Sequence, residues 1–116
     1  MTINLGRDTA GTTSRSLEAL QNLRDNVLAD PVLKEVRIIS LGSHQDIQAH
    51  FIFEGSGEYI ASGFSIGYGG EGPHGLWKGI KLFYPDLPEF WETPISRMDA
   101  RKSWIWTLQD SFQRLK

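Results

Sequence analysis

DIQAHFIFEGSGEYIASGFSIG, residues Asp46 to Gly67, sets two β-rich runs on either side of Gly55-Ser56-Gly57. In the first run Ile47, Ala49, Phe51 and Phe53 alternate with Gln48, His50 and Glu54, the period of a half-buried strand. The second run, Glu58 to Gly67, carries Ile60, Phe64 and Ile66 at one parity. Tyr59, Ala61, Gly63, Ser65 and Gly67 fall at the other. Two strands joined by a glycine turn this short must be antiparallel. That reading sets the expected fold class.

Working outward, SRSLEALQNLRDNVLAD before it places Leu17, Leu20, Leu23, Val27 and Leu28 on one helical face. Thr13 or Ser14 can cap this helix and Asp30-Pro31 ends it. VRIISLG reads as a strand. Downstream, a glycine-rich turn leads into a helix expected from Pro73 to Phe83, with Leu76, Ile80 and Phe83 inward. Gly75 and Gly79 lie four residues apart and would rest on the small residues Ala61, Gly63, Ser65 and Gly67. YPDLPEFWETP reads as a loop. SRMDARKSWIWTLQDSFQRL reads as a last helix, with Ser96 and Asp99 able to cap it, an apolar stripe of Met98, Ile105, Leu108, Phe112 and Leu115, and Trp106 opposite that stripe, a partner surface if exposed. The expected architecture is therefore α+β: a three-stranded antiparallel sheet with helices on one face, in the order α-β-β-β-α-α.

The 116 residues suit one domain, with residues 1–13 read as a flexible arm. No apolar run approaches a membrane span, and cysteine is absent, which excludes disulfides and thiolate chemistry. Both features are compatible with the cytoplasm. Net charge is −2, with −4 over residues 1–75 (five basic, nine acidic) and +2 over residues 76–116 (seven basic, five acidic). That balance gives no electrostatic case for nucleic acid.

Two catalytic-looking patterns overlap after the second strand. Gly63-Phe64-Ser65-Ile66-Gly67 fits G-x-S-x-G, but a nucleophile elbow needs an acid and then a histidine downstream. Only Glu71 and His74 follow closely, so no catalytic set converges. Gly67-Tyr68-Gly69-Gly70-Glu71-Gly72 fits G-x-G-x-x-G, but an antiparallel strand precedes it and no parallel strand follows. What remains is a turn whose amides, from Gly69, Gly70 and Gly72, can surround an anion. Tyr68 and Trp77 could stack on a base, and His74 and Lys78 could add donors. Close packing of backbones is the competing reason for so many glycines. His44, Asp46 and His50 share a parity, but without further partners they read as a solvated polar face and not a metal site.

HFIFEGSGEYIASGFSIGYGG, within residues 14–84, resembles the double-stranded RNA-binding domain in rhythm and layout. The resemblance implies a helix, three antiparallel strands and a helix that grips phosphates through lysines near its start. At that start this chain has Pro73, His74 and Gly75, with lysines only further on, at Lys78 and Lys81.

Three functions are consistent with these observations. The leading expectation is a small non-enzymatic binding protein, without a cofactor, holding a nucleotide-like or other anionic small molecule at residues 67–78. The second is a protein-interaction module of inhibitor or immunity type. It would use Phe90, Trp91 and Trp106 on the acidic loop 85–94 and the C-terminal helix, and homo-oligomers are compatible with it. The third is a divergent RNA-binding domain.

Overall fold

The computed structural model describes residues 4–8, 12–41 and 47–115. Its strands are β1 (Asn4–Arg7), β2 (Leu33–Ser40), β3 (Ile47–Phe53), β4 (Gly57–Ala61), β5 (Trp104–Thr107) and β6 (Ser111–Arg114). Its helices are α1 (Thr13–Asn22), α2 (Glu71–Lys81) and α3 (Glu92–Arg97). The strands form one six-stranded sheet in the order β1-β4-β3-β2-β5-β6. β1 runs parallel to β4, and every other neighbouring pair is antiparallel. The expected three-stranded antiparallel sheet is thus replaced by a six-stranded mixed one, and β2, β3 and β4 are only its middle.

The hairpin turns where the sequence places it. Gly55 takes φ +72°, a conformation that costs glycine little, and Glu54–Ser56 close the loop. Register then decides which side of β4 faces in. Phe51 pairs with Tyr59, and Ala49 with Ala61, so Tyr59 and Ala61 join the core and Ile60 turns to the other face. Ile60 therefore parts from Phe64 and Ile66, which share its parity in the sequence. Phe64 and Ile66 are buried all the same, because the chain leaves the sheet after Ala61 and folds back.

The C-terminal segment departs most from expectation. The last helix is instead the β5–β6 hairpin. Trp104-Ile105-Trp106-Thr107 are four consecutive residues of high strand propensity, and pairing with β2 gives them a sheet to extend. The apparent helical stripe through Met98, Ile105 and Phe112 is a coincidence of spacing. Ser96 and Asp99 cap no helix: Ser96 Oγ donates to the Thr93 carbonyl, and Asp99 accepts from the Arg101 amide in a turn. Trp106, expected on an exposed helix face, is 0% exposed on the core side of β5. The loop expected at residues 84–94 contains a 3₁₀ turn, Glu89–Trp91, that runs into α3. Pro94 fits there because it sits in the first turn, where no amide hydrogen bond is lost.

All three helices lie over one face of the sheet, on a core of Leu20, Val36, Ile38, Phe51, Leu76 and Ile80. α1 is capped by Thr12 and ends in a π turn, where the Leu28 amide reaches the Leu23 carbonyl at 2.9 Å. Within α2, Gly72 packs on Ser65, whereas Gly75 and Gly79 have α1 and aromatic side chains as their nearest neighbours. Gly75 lies against Thr13 and Phe64, and Gly79 against Leu20, Phe51 and Phe64. The opposite sheet face carries Arg37, His50, Ile52, Ile60 and Ile105, all exposed or half-buried.

Candidate functional site

The glycine turn and the acidic loop come together. Three bonds hold them. The Gly67 amide donates to the Ile95 carbonyl at 3.0 Å, Trp77 Nε1 donates to the Pro88 carbonyl at 3.1 Å, and His74 Nδ1 bonds Glu92 Oε1. The Trp91 amide shares the Pro88 carbonyl at 3.2 Å. A loop this tied to its neighbours is held in place before any partner arrives.

Its aromatic residues form a chain from surface to core. The Phe90 ring meets Trp91 edge-on at 6.3 Å, Trp91 meets Trp106 edge-on at 6.1 Å, and Trp106 lies 5.6 Å from Tyr84. Tyr84 in turn donates to the Leu33 carbonyl at 2.5 Å, which fixes the inner end to β2. At the outer end Phe90 is 68% exposed. Leu108, at the tip of the β5–β6 hairpin, is 51% exposed. Two clefts flank this surface. One, of about 370 Å³, lies between Gly69, Gly70 and His74 on one wall and Glu89, Phe90 and Glu92 on the other. The second, of about 350 Å³, is lined mainly by Tyr84, Pro85, Leu87, Pro88, Trp91 and Leu108. Asp86, Glu89 and Glu92 line these clefts, and among the described residues neither has a lysine or arginine in its wall.

The residues expected to hold an anion do not converge on one point. Gly69, Gly70 and His74 line the first cleft. Tyr68, 41% exposed, and Gly72 line a different hollow of about 350 Å³ beside Ser65 and Glu71, where Ser65 Oγ donates to Tyr68 Oη at 3.1 Å. Trp77 is 5% exposed, with the Lys81 ammonium 4.8 Å above its ring. Lys78 faces a third groove, between α1 and α2. Of the residues expected to meet a partner, Phe90 and Trp91 sit side by side at the surface and Trp106 supports them from the core.

Sequence reasoning missed Leu108 and α3. The helical reading of the C-terminal segment hid Leu108 as part of an apolar stripe. A hairpin signal was present in Thr107-Leu108-Gln109-Asp110, where the Asp110 amide donates to Thr107 Oγ1 at 3.1 Å. His44 and Asp46 lie outside the described residues, and His50 Nδ1 is engaged by Glu58 Oε1.

Among the described residues, no helix is long and apolar enough to cross a membrane. No protein family, curated protein or solved structure matches this chain, so its chemistry is read from its own residues.

Proposed function

We propose that this protein is a protein-interaction module whose contact surface is the acidic-aromatic loop 85–94 together with Leu108 and the two flanking clefts. The observation that carries this reading is Phe90, 68% exposed on a loop that backbone and side-chain bonds hold fixed. A large aromatic residue left in water on a rigid support is the arrangement of an interface anchor. The apolar cleft at Trp91 and Leu108 supplies a dry centre, and the polar cleft at Glu89, Phe90 and Glu92 a charged rim. The charge selects the partner's chemistry: an apolar side chain flanked by lysine or arginine. The same charge argues against a nucleotide-like anion at the glycine turn. Glu71 opens α2, and Glu89 and Glu92 face Gly69 and Gly70 across the cleft.

The test is partner capture from lysate by immobilised protein, compared between the wild type and Phe90→Ala. Both side chain and site are exposed, so the substitution should change unfolding stability by no more than about 0.5 kcal/mol. Capture should be lost, and should weaken with salt in the wild type. Undiminished capture by Phe90→Ala at unchanged stability would refute the assignment.

A further inference from the structure

The groove between α1 and α2 differs in charge from the rest of the surface. It has a volume of about 380 Å³, with Leu17, Leu82 and Pro85 as its apolar lining and Arg24, Lys78 and Lys81 as its cations. Among the described residues no carboxylate lines it, in a chain of net charge −2 whose adjoining loop is acidic. Arg24 is held by the neighbouring Asp25 through two bonds, at 2.8 and 3.2 Å, which cancels its charge. Lys81 rests over the Trp77 ring. Lys78 is exposed, and among the described residues neither lysine has an ion pair. Counting three cations and one paired carboxylate, the rim carries +2.

We infer that this groove is a binding site for an amphipathic monocarboxylate, a small molecule with one carboxylate and an apolar body. The Lys78 ammonium meets the carboxylate and Lys81 adds a second donor. The apolar body lies on Leu17, Leu82 and Pro85. Three features select this class. The volume matches that of small-molecule sites, whereas a docked helix would need anchors over two turns. The lining is mainly apolar, including the methylene stems of the lysines, so a small polar anion would leave it uncovered. The lysines stand in the last turn of α2, where the helix dipole is negative, so a dianionic phosphate is opposed more strongly than a monoanion, which the two ammonium groups can match. Lys78 was read from the sequence as an anion donor. The structure places it in this groove, about one helical turn beyond His74 and the cleft at Gly69.

Both lysines also complement the α2 dipole, a role that needs no ligand. Titration separates the two. Octanoate is added to the full-length protein below its micellar concentration, with calorimetry for affinity and methyl NMR for location. Octanol and octyltrimethylammonium serve as controls. The expected result is saturable one-to-one octanoate binding that shifts the Leu17 and Leu82 methyls, with neither control saturating. In Lys78→Gln, checked for folding by circular dichroism, affinity should fall at least about ten-fold, the effect of losing one charge-assisted hydrogen bond. Lys81→Gln should weaken binding in the same direction. Absence of saturable octanoate binding overturns the inference. So do octanol binding as tightly as octanoate, affinity unchanged in Lys78→Gln, or shifts confined to other methyls. Binding of an acidic amphipathic peptide without octanoate binding overturns it in favour of a macromolecular occupant.

Discussion

Asp8 and Ser62 grip each other at backbone and side chain. The Ser62 amide donates to Asp8 Oδ1 at 3.1 Å, and Ser62 Oγ lies 2.7 Å from that oxygen and 2.8 Å from the Asp8 carbonyl. The other carboxylate oxygen accepts from Ser16 Oγ at 3.0 Å and Tyr59 Oη at 3.1 Å. Ser16 relays further, accepting from the Gly63 amide at 2.9 Å. One carboxylate thus joins the end of β1, the end of β4 and helix α1. Asp8→Ala leaves part-buried donors without an acceptor, so it should cost about 2–3 kcal/mol in urea unfolding. Asp8→Asn, which keeps one acceptor oxygen, should cost less. A change within about 0.5 kcal/mol for Asp8→Ala would mean that the carboxylate contributes nothing to holding β1 against β4 and α1.

Tyr59 makes the same network sensitive to alkali. Burial, then the Asp8 charge and its hydrogen bond, push the phenol pKa well above its ordinary value of 10.0. A pKa raised on folding means the contribution is complete below pH 10 and declines as pH rises above it. Urea midpoints measured from pH 8 upward should fall for the wild type beyond pH 10. They should fall less steeply for Tyr59→Phe, where Tyr84, also raised by burial, remains. Equal slopes for the two proteins would remove Tyr59 as the cause.

Gly75 tests whether the helix glycines serve close packing. A Cβ there would overlap Thr13 Cγ2 and approach Phe64 to 3.3 Å. Alanine would otherwise stabilise the helix by about 1 kcal/mol, so the clash must exceed that to show. Gly75→Ala should destabilise by about 1–2 kcal/mol. Thr13→Ser removes the clashing methyl and keeps the hydroxyl that donates to the Gly63 carbonyl at 2.8 Å. In that background Gly75→Ala should become neutral or stabilising, as thermal unfolding would read. Gly69→Ala meets nothing within 4 Å and should be near neutral in either background.

What the sequence disclosed follows from which interactions are local. Strand alternation in Ile47–Phe53, the turn at Gly55 and the apolar face through Leu20 and Leu23 act within a few residues, and each is in the structure. The face of β4 depends on register with β3, and Tyr59 and Ile60 were equally plausible inward until Phe51 fixed the pairing. The C-terminal hairpin depends on β2, 70 residues away where Val36 pairs with Trp106. A helical and a strand pattern coexist in Trp104–Phe112, and only that distant edge chooses between them. The interaction surface was half legible. Phe90 and Trp91 were visible as aromatics in an acidic loop, but Leu108 joins them only through the hairpin.

The turn before that hairpin carries its own pH dependence. Asp99 accepts from the Arg101 amide at 3.0 Å and from its guanidinium at 3.1 Å twice, while its carbonyl accepts from Trp104 Nε1 at 3.1 Å. It therefore aims the chain into β5. Hydrogen bonds from the Arg101 side chain, then its backbone, lower the Asp99 pKa from 3.8 to about 2. A carboxylate pKa depressed on folding stabilises above the unfolded value and loses that contribution as pH falls through the folded one. Asp99→Asn lacks this contribution at every pH. The gap in urea midpoint between wild type and Asp99→Asn should accordingly be constant above pH 4 and close between pH 4 and pH 2. Arg101→Ala should show the same closing gap, because it removes the donors that depress the pKa. A gap that stays constant down to pH 2 would mean the turn is held by its backbone bonds alone, with the charge on Asp99 doing nothing for β5.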